Sequence, residues 1–383
     1  MKTKSCFIGG DINTIVTKSF SEFYPALNKY ILNEGTEYIS RNGKCKEVIN
    51  FKTILSKPIN RCTVSENRNA NIFFHLAESL WIFTGRDDLD FISFFNSVFK
   101  EFSDDQKTLN GAYGKRIRKW SHDNQEIDQL KELIIKLDTN NLDRRTVIQL
   151  WDASKDLLSQ SKDIPCNTQL VFKIQDENLN LTIFNRSNDL HLGLIANIFQ
   201  FSFLGEIVGL ILNKKFNNQT HISNSLHVYT DEKLCDTIKE NDLYKTFFQL
   251  YPPSCFDLNF DSDISNSLEK FTKVDELLKG AIKHLESFIK NKDIEYKNIL
   301  KEIEFYKDVS KSVYEIVYLL SYFIFYKNNI KIENIRETLI KRLIDFNKQN
   351  PFKHQDYYGL ALNYFVKRAN YDFSSFDKNM GKY

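Results

Sequence analysis

The stretch IPCNTQLVFKIQDENLNLTIFNRSNDLHLGLIANIFQ, residues 164–200, decides the fold. QLVFKIQD and NLNLTIFNRS have the β-branched and aromatic content of neighbouring strands, and Asp176-Glu177-Asn178 marks a hairpin between them. An apolar run then extends from Leu192 through Leu212, interrupted by Asn197, Gln200, Glu206 and several small residues. That pattern predicts a buried helix beside a polar site, not a membrane segment. Working outward, TVIQLWD adds a strand upstream and SLHVYT, starting at Ser225, a short strand downstream.

Earlier in the chain, FSEFYPALNKYILNEG places Phe23, Leu27, Tyr30 and Ile31 at helical spacing before Gly35. Arg41-Asn42-Gly43 is a turn candidate, and EVINFKTIL supplies a short strand before Pro58. Ala70 to Thr84 is helical in period, with Glu78 an ionisable exception among Leu76, Leu80 and Trp81, and DQLKELIIKLDT is another amphipathic helix. Together these predict an α/β fold of the α+β kind with a mixed-sheet core. After Phe260 long helical periods dominate: Phe271, Val274, Leu278, Leu285 and Ile289 form one stripe, and Ile332, Ile335, Leu339 and Leu343 another. The expected division is residues 1–255 as the catalytic unit and 256–383 as a helical region. YGLALNY, from Tyr358, reads as one more packing helix.

Composition narrows the class. Lys and Arg number 52 against 50 Asp and Glu, a net charge of +2 that gives no reason to expect a nucleic-acid partner. With 42% hydrophobic residues and 32 phenylalanines the chain should be globular. Its six cysteines form no CxxC pair and no Cys/His zinc spacing, so reduced thiols and no metal are expected. The segment MKTKSCFIGGDINTIV lacks an apolar signal core, and Val313 to Tyr326 is too short and carries Glu315, so the expectation is a cytoplasmic protein with no membrane span.

Seven blocks stand in a shared order: SRNG (Ser40–Gly43), AESLWIFTG (Ala77–Gly85), GAYG (Gly111–Gly114), Arg144-Arg145, IPCNTQLVF, IFNRSNDLHLGLIANIF and SLHVYT. In this order they resemble the thymidylate synthase family, over most of the first 230 residues. The resemblance implies a thymidylate-synthase-like fold and one-carbon transfer from 5,10-methylenetetrahydrofolate to C5 of a pyrimidine nucleoside monophosphate. Cys166 would be the nucleophile, because a thiolate adding to C6 makes C5 nucleophilic. Arg41, Arg144, Arg145 and Arg186, with Ser187, would hold the phosphate, the central pair being supplied across a homodimer interface; guanidinium forks suit a dianion. Glu78 would position water and relay protons, and Tyr113 would assist removal of the C5 proton. Asn197 would read the base edge, while His227 and Tyr229 would recognise the sugar hydroxyl. Asp189, Phe99, Phe102 and Gly193 would face the folate.

This sequence departs from the family pattern in several places. Asn167 stands where His is usual, Asn185 where Gln is usual, and Phe99 and Phe102 lie in the region of two Trp residues. The usual folate-closing tail is replaced by the helical region ending in NMGKY. RDDLDF and SRNG look more like the cytidylate-hydroxymethylase branch. The leading expectation is therefore hydroxymethylation of CMP or dCMP. Methylation of dUMP by a thymidylate synthase is the alternative, and a catalytically altered nucleotide- or partner-binding protein is another.

Overall fold

The computed structural model describes residues 13–40, 43–65, 70–230, 243–260, 264 and 266–368. Its strands are β1 (Thr14–Thr17), β2 (Thr36–Ser40), β3 (Gly43–Leu55), β4 (Trp120–His122), β5 (Gln125–Ile127), β6 (Val147–Gln149), β7 (Asn167–Gln175), β8 (Asn178–Asn185), β9 (Asn188–Asp189) and β10 (Lys215–Tyr229). The helices up to the end of the sheet are α1 (Phe20–Glu34), α2 (Ile72–Phe83), α3 (Leu89–Phe95), α4 (Phe99–Phe102), α5 (Tyr113–Arg118), α6 (Gln129–Thr139), α7 (Ala153–Asp156) and α8 (Gly193–Ile211). Beyond them come α9 (Leu243–Leu250), α10 (Ser267–Lys290), α11 (Tyr296–Ile303), α12 (Tyr306–Val309), α13 (Lys311–Asn328), α14 (Ile335–Gln349) and α15 (Gln355–Val366). This is the mixed α/β core with a C-terminal helical extension that the sequence predicts.

The main sheet has eight strands, ordered β1-β3-β10-β8-β7-β6, with β2 pairing β3 and β9 pairing β10. β10 runs antiparallel to β3 and parallel to β8, and β7 is antiparallel to β8. The β7–β8 hairpin turns through Asp176, whose φ of 53° is one that Asp tolerates because its short side chain bonds locally. Leu170, Phe172 and Ile174 of β7 and Leu179, Leu181 and Ile183 of β8 alternate onto one buried face.

Helix α8 is buried on nearly every side, since it packs on α2 as well as on β10 and β8. It is the one helix among the described residues long and apolar enough to cross a membrane, and 89% of its apolar window lies inside the protein. Helix α2 starts at Asn71, whose side chain accepts the Phe74 N–H at 3.2 Å. Its far side packs on α13 and α15: the Phe73 ring stacks on Phe323 at 4.6 Å and meets Tyr364 edge-on at 5.3 Å. One hydrophobic core therefore runs from the sheet through α8 and α2 into the C-terminal helices, and a smaller one joins α1 to β3 and β10.

Some sequence expectations need correction. SLHVYT is only the end of a 15-residue strand, and EVINFKTIL the larger part of a 13-residue one. TVIQLWD contributes just three ladder residues. Ile332 precedes α14 and is 54% exposed, and on α10 it is Phe288, not Ile289, that is fully buried.

Candidate active site

Cys166 immediately precedes β7, after Pro165, and is half-buried. Its carbonyl accepts the Arg186 backbone N–H at 2.9 Å, which extends the β7–β8 ladder by one bond. The Arg186 guanidinium turns back over this turn. It donates to the carbonyls of Pro165 at 2.9 Å and Ile164 at 3.1 Å, and its terminal nitrogen lies 3.7 Å from Cys166 Sγ. The Trp151 ring lies 5.8 Å from the guanidinium carbon. A fixed positive charge at that distance favours the thiolate over the thiol. Arg186 remains solvent-exposed, so its remaining N–H groups can meet an anionic ligand.

Tyr113 opens α5, and its hydroxyl accepts the Asn167 backbone N–H at 3.3 Å. Burial, reinforced by the neighbouring Cys166, holds this phenol well above its ordinary value, so it stays protonated. The Asn167 side chain, fully buried, donates to Asn197 Oδ1 at 3.0 Å. Asn197 in turn donates to Asn188 Oδ1 at 3.3 Å, and Asn188 to Ser223 Oγ at 3.2 Å. Gln219 of β10 donates to the carbonyl of Ile198 at 3.2 Å and pairs with His221 at 2.9 Å. Burial lowers His221 to about 3, so its ring is neutral.

Glu78 faces α8 from α2 and accepts a hydrogen bond from Gln200. Both are buried. Removal from water raises the Glu78 carboxyl from 4.5 to about 8 against the opposing pull of that bond, so it is a neutral acid over most of the physiological range.

His227 and Tyr229 project from the same side of β10, their rings edge-on at 5.2 Å. Asp189 is the register partner of His227, and Gly193 begins α8 four residues later. A Cβ on Gly193 would come 3.2 Å from Asn188 Oδ1, so the glycine keeps this turn close to the amide chain. Ser187 is half-buried between β8 and β9. Phe99 packs on Phe74 with ring centroids 5.5 Å apart, one turn from Glu78, whereas Phe102 on the same short helix is 40% exposed.

The structure does not bring Arg144 and Arg145 to their own Cys166. They precede β6, and Thr146 bonds to Phe172 deep in β7, six residues past Cys166. At the rise of a strand that separation is roughly 20 Å. Both are exposed, and Arg145 pairs with Asp143 at 2.7 Å. Arg41 and NMGKY lie outside the described residues. Sequence reasoning did not assign Gln200, Asn188, Gln219, His221 or Ser223 to the site. Gln200 had a usable signal, as a polar residue inside an apolar helix; the others sit in polar stretches where nothing distinguishes them.

The family described as thymidylate synthase matches residues 22–311. The deoxyuridylate hydroxymethyltransferase of Pseudomonas phage M6 is 37% identical over 226 residues, 57% of this chain and 62% of that protein. The protein of the same name from Bacillus phage SP01 is 34% identical over 220 residues, 55% of this chain and 57% of its own length. That of Delftia phage PhiW-14 is 29% identical over 180 residues, 44% and 48%. The chain thus spans less than two thirds of each of these relatives.

Their names overturn the expected likeness to the cytidylate branch. The segment that suggested it, RDDLDF, is structural: Arg86 pairs with Asp88 at 2.6 Å and with Glu286 of α10, and Asp88 caps α3. SRNG lies partly outside the described residues, and neither segment holds the base-reading candidate Asn197. The family match covers well over half of the sequence and takes in the elements bearing Glu78, Tyr113, Cys166, Arg186 and Asn197; the chain belongs to the thymidylate synthase family.

Proposed function

We propose that this chain hydroxymethylates C5 of dUMP, with 5,10-methylenetetrahydrofolate as one-carbon donor. The observation that carries the reading is Cys166 Sγ beside the Arg186 guanidinium at 3.7 Å, in a turn braced on both sides. The names of the phage relatives support the substrate and the product. Cys166 adds to C6, and the electron pair displaced from the C5–C6 double bond makes C5 the nucleophile. The donor, when bound, supplies a methylene carbon at the oxidation level of formaldehyde. A flat pterin with an amide-like edge suits a carboxylate and aromatic walls, and Asp189, Phe99 and Phe102 are those residue types, with Gly193 leaving backbone open to approach.

Tyr113, kept protonated by burial, orders the water that takes the C5 proton. Glu78, neutral beside Gln200, acts as proton donor and positions the water whose oxygen enters the product. C5 bonds to the methylene carbon. Once the C5 proton has left, the electron pair left on C5 expels tetrahydrofolate as an exocyclic methylene forms. The water oxygen bonds to that carbon, and return of the electron pair to the ring expels the Cys166 thiolate from C6 and restores the C5–C6 double bond. Arg186 and Ser187 hold the phosphate, and Asn197 pairs with the base edge. The exposure of Arg144 and Arg145, far from their own Cys166, supports a homodimer in which a second copy completes the phosphate cradle.

The test is to incubate the purified chain with dUMP and the folate donor and weigh the nucleotide product. A gain of CH2O, absent with Cys166→Ala, is the expected result. A gain of CH2 with appearance of dihydrofolate would identify reductive methylation instead, and no modified nucleotide would refute the reading altogether.

A further inference from the structure

The amide chain from Asn167 to Ser223 has a polarity. Each member donates to the next: Asn167 to Asn197, Asn197 to Asn188, Asn188 to Ser223. After these bonds Asn197 keeps one N–H and one lone pair on its oxygen. An acceptor beside a donor complements the uracil edge, which offers N3–H and O4. The cytosine edge, N3 with an amino group, needs the amide turned end for end.

Asn197 cannot turn alone. Its N–H would then face the Asn167 N–H and its oxygen the Asn188 oxygen, leaving buried polar groups unmatched. All three amides must turn together, and Ser223 can terminate either arrangement because a hydroxyl both donates and accepts. Asn197 is also held in place beneath: Gln219 contacts the Asn197 carbonyl at 3.4 Å and the next one along α8. Polarity is thus the one remaining freedom, and Asn167 at the head of the chain biases it. It is fully buried and its Oδ1 has no hydrogen-bond partner among the described residues, so turning the chain would leave its N–H2 as the orphan instead, the costlier of the two.

We propose that Asn167 is a positioning residue which, through Asn197, Asn188 and Ser223, selects uracil over cytosine. This rests on Asn197 reading the base, as in the proposed function. The test is titration of the full chain with dUMP and with dCMP, read as the ratio of the two affinities. Asn167→Leu, close to asparagine in size, cannot donate, so the existing polarity loses its advantage and the ratio should move toward dCMP by about tenfold or more.

Asn188→Asp accepts from both Asn197 and Ser223, which locks the existing polarity, and should keep the wild-type ratio. Should Asn167→Leu fail to fold, Asn167→Ala removes the head donor at smaller bulk and should move the ratio the same way. An unchanged ratio in a folded Asn167 variant overturns the inference, as does a reversed ratio in Asn188→Asp. A wild-type chain that binds neither nucleotide overturns the proposed function instead and takes the inference with it.

Discussion

Replacing Glu78 by Gln should make the protein more stable in mildly alkaline solution while stopping the reaction. Glu78 is buried, and its carboxyl is raised from 4.5 to about 8, with burial as the first cause. A carboxyl raised on folding stabilises the native state fully only below its unfolded value, and the contribution is lost as pH climbs toward the folded one. The window therefore runs from about 4.5 to 8. Each pH unit of displacement is worth about 1.4 kcal/mol, so the full swing is about 5 kcal/mol, reduced to roughly 2–4 by water entry and relaxation around the charge. The glutamine amide of the variant carries no charge at any pH. Its oxygen can still accept from Gln200, and its N–H2 can donate to Gln200 Oε1, which has no hydrogen-bond partner among the described residues. Urea unfolding of both proteins at pH 5 and pH 8 measures the gap between them. Asp356 and Glu315, each raised by burial to about 7, titrate in both proteins and cancel in the difference. The gap should be small at pH 5 and favour Glu78→Gln by the amount above at pH 8. Equal gaps at the two pH values would refute the reasoning.

Phe73→Ala should cost about 3–5 kcal/mol in urea unfolding, because the ring is fully buried between α2 and the C-terminal helices; a loss below about 1 kcal/mol would mean those helices do not hold α2. Arg186→Ala should weaken dUMP binding about tenfold or more and slow alkylation of Cys166 by iodoacetamide, with Arg186→Lys recovering only part because the fork is lost. Unaltered alkylation and affinity would remove Arg186 from the site. Mixing inactive Cys166→Ala with inactive Arg145→Ala should regenerate some activity, since one site of the mixed dimer then has both groups intact; mixtures that stay inactive after subunit exchange count against a shared site.

Where burial follows the usual alternation or helical period, the fold was legible. The β7–β8 hairpin, α2 and α8 are apolar on the faces that pack, and the sequence marks each of them. The division of labour on α2 was legible only in part. Glu78 stood out as a charge among apolar neighbours, but the reason α2 is apolar all round lies in α13 and α15, more than 200 residues further on. Nothing along the chain marks whose site Arg144 and Arg145 serve; the family resemblance alone assigned them across a dimer interface, and the register of β6 on β7 sets them at the far end of the strand from their own Cys166.

Strand β10 explains why most of the site was not legible. Its buried positions Gln219, His221, Ser223 and His227 alternate strictly or nearly so, the period of a strand with one face inside. The strand period is recognised by apolar residues at those positions, and here they are polar, so only the SLHVYT end reads as a strand. Burying polar side chains at alternate positions is costly unless they find partners, and β10 supplies some locally, Gln219 to His221 and to the α8 carbonyls and Ser223 to Asn188, while His221 Nδ1 and His227 Nδ1 have no hydrogen-bond partner among the described residues. An apolar β10 would pack more cheaply but would leave Asn188 without its hydroxyl and α8 without its anchor. On the proposed reading the inverted pattern serves the site: the polar inward face of β10 anchors, through Ser223, the Asn188, Asn197 and Asn167 amides that lead to Cys166.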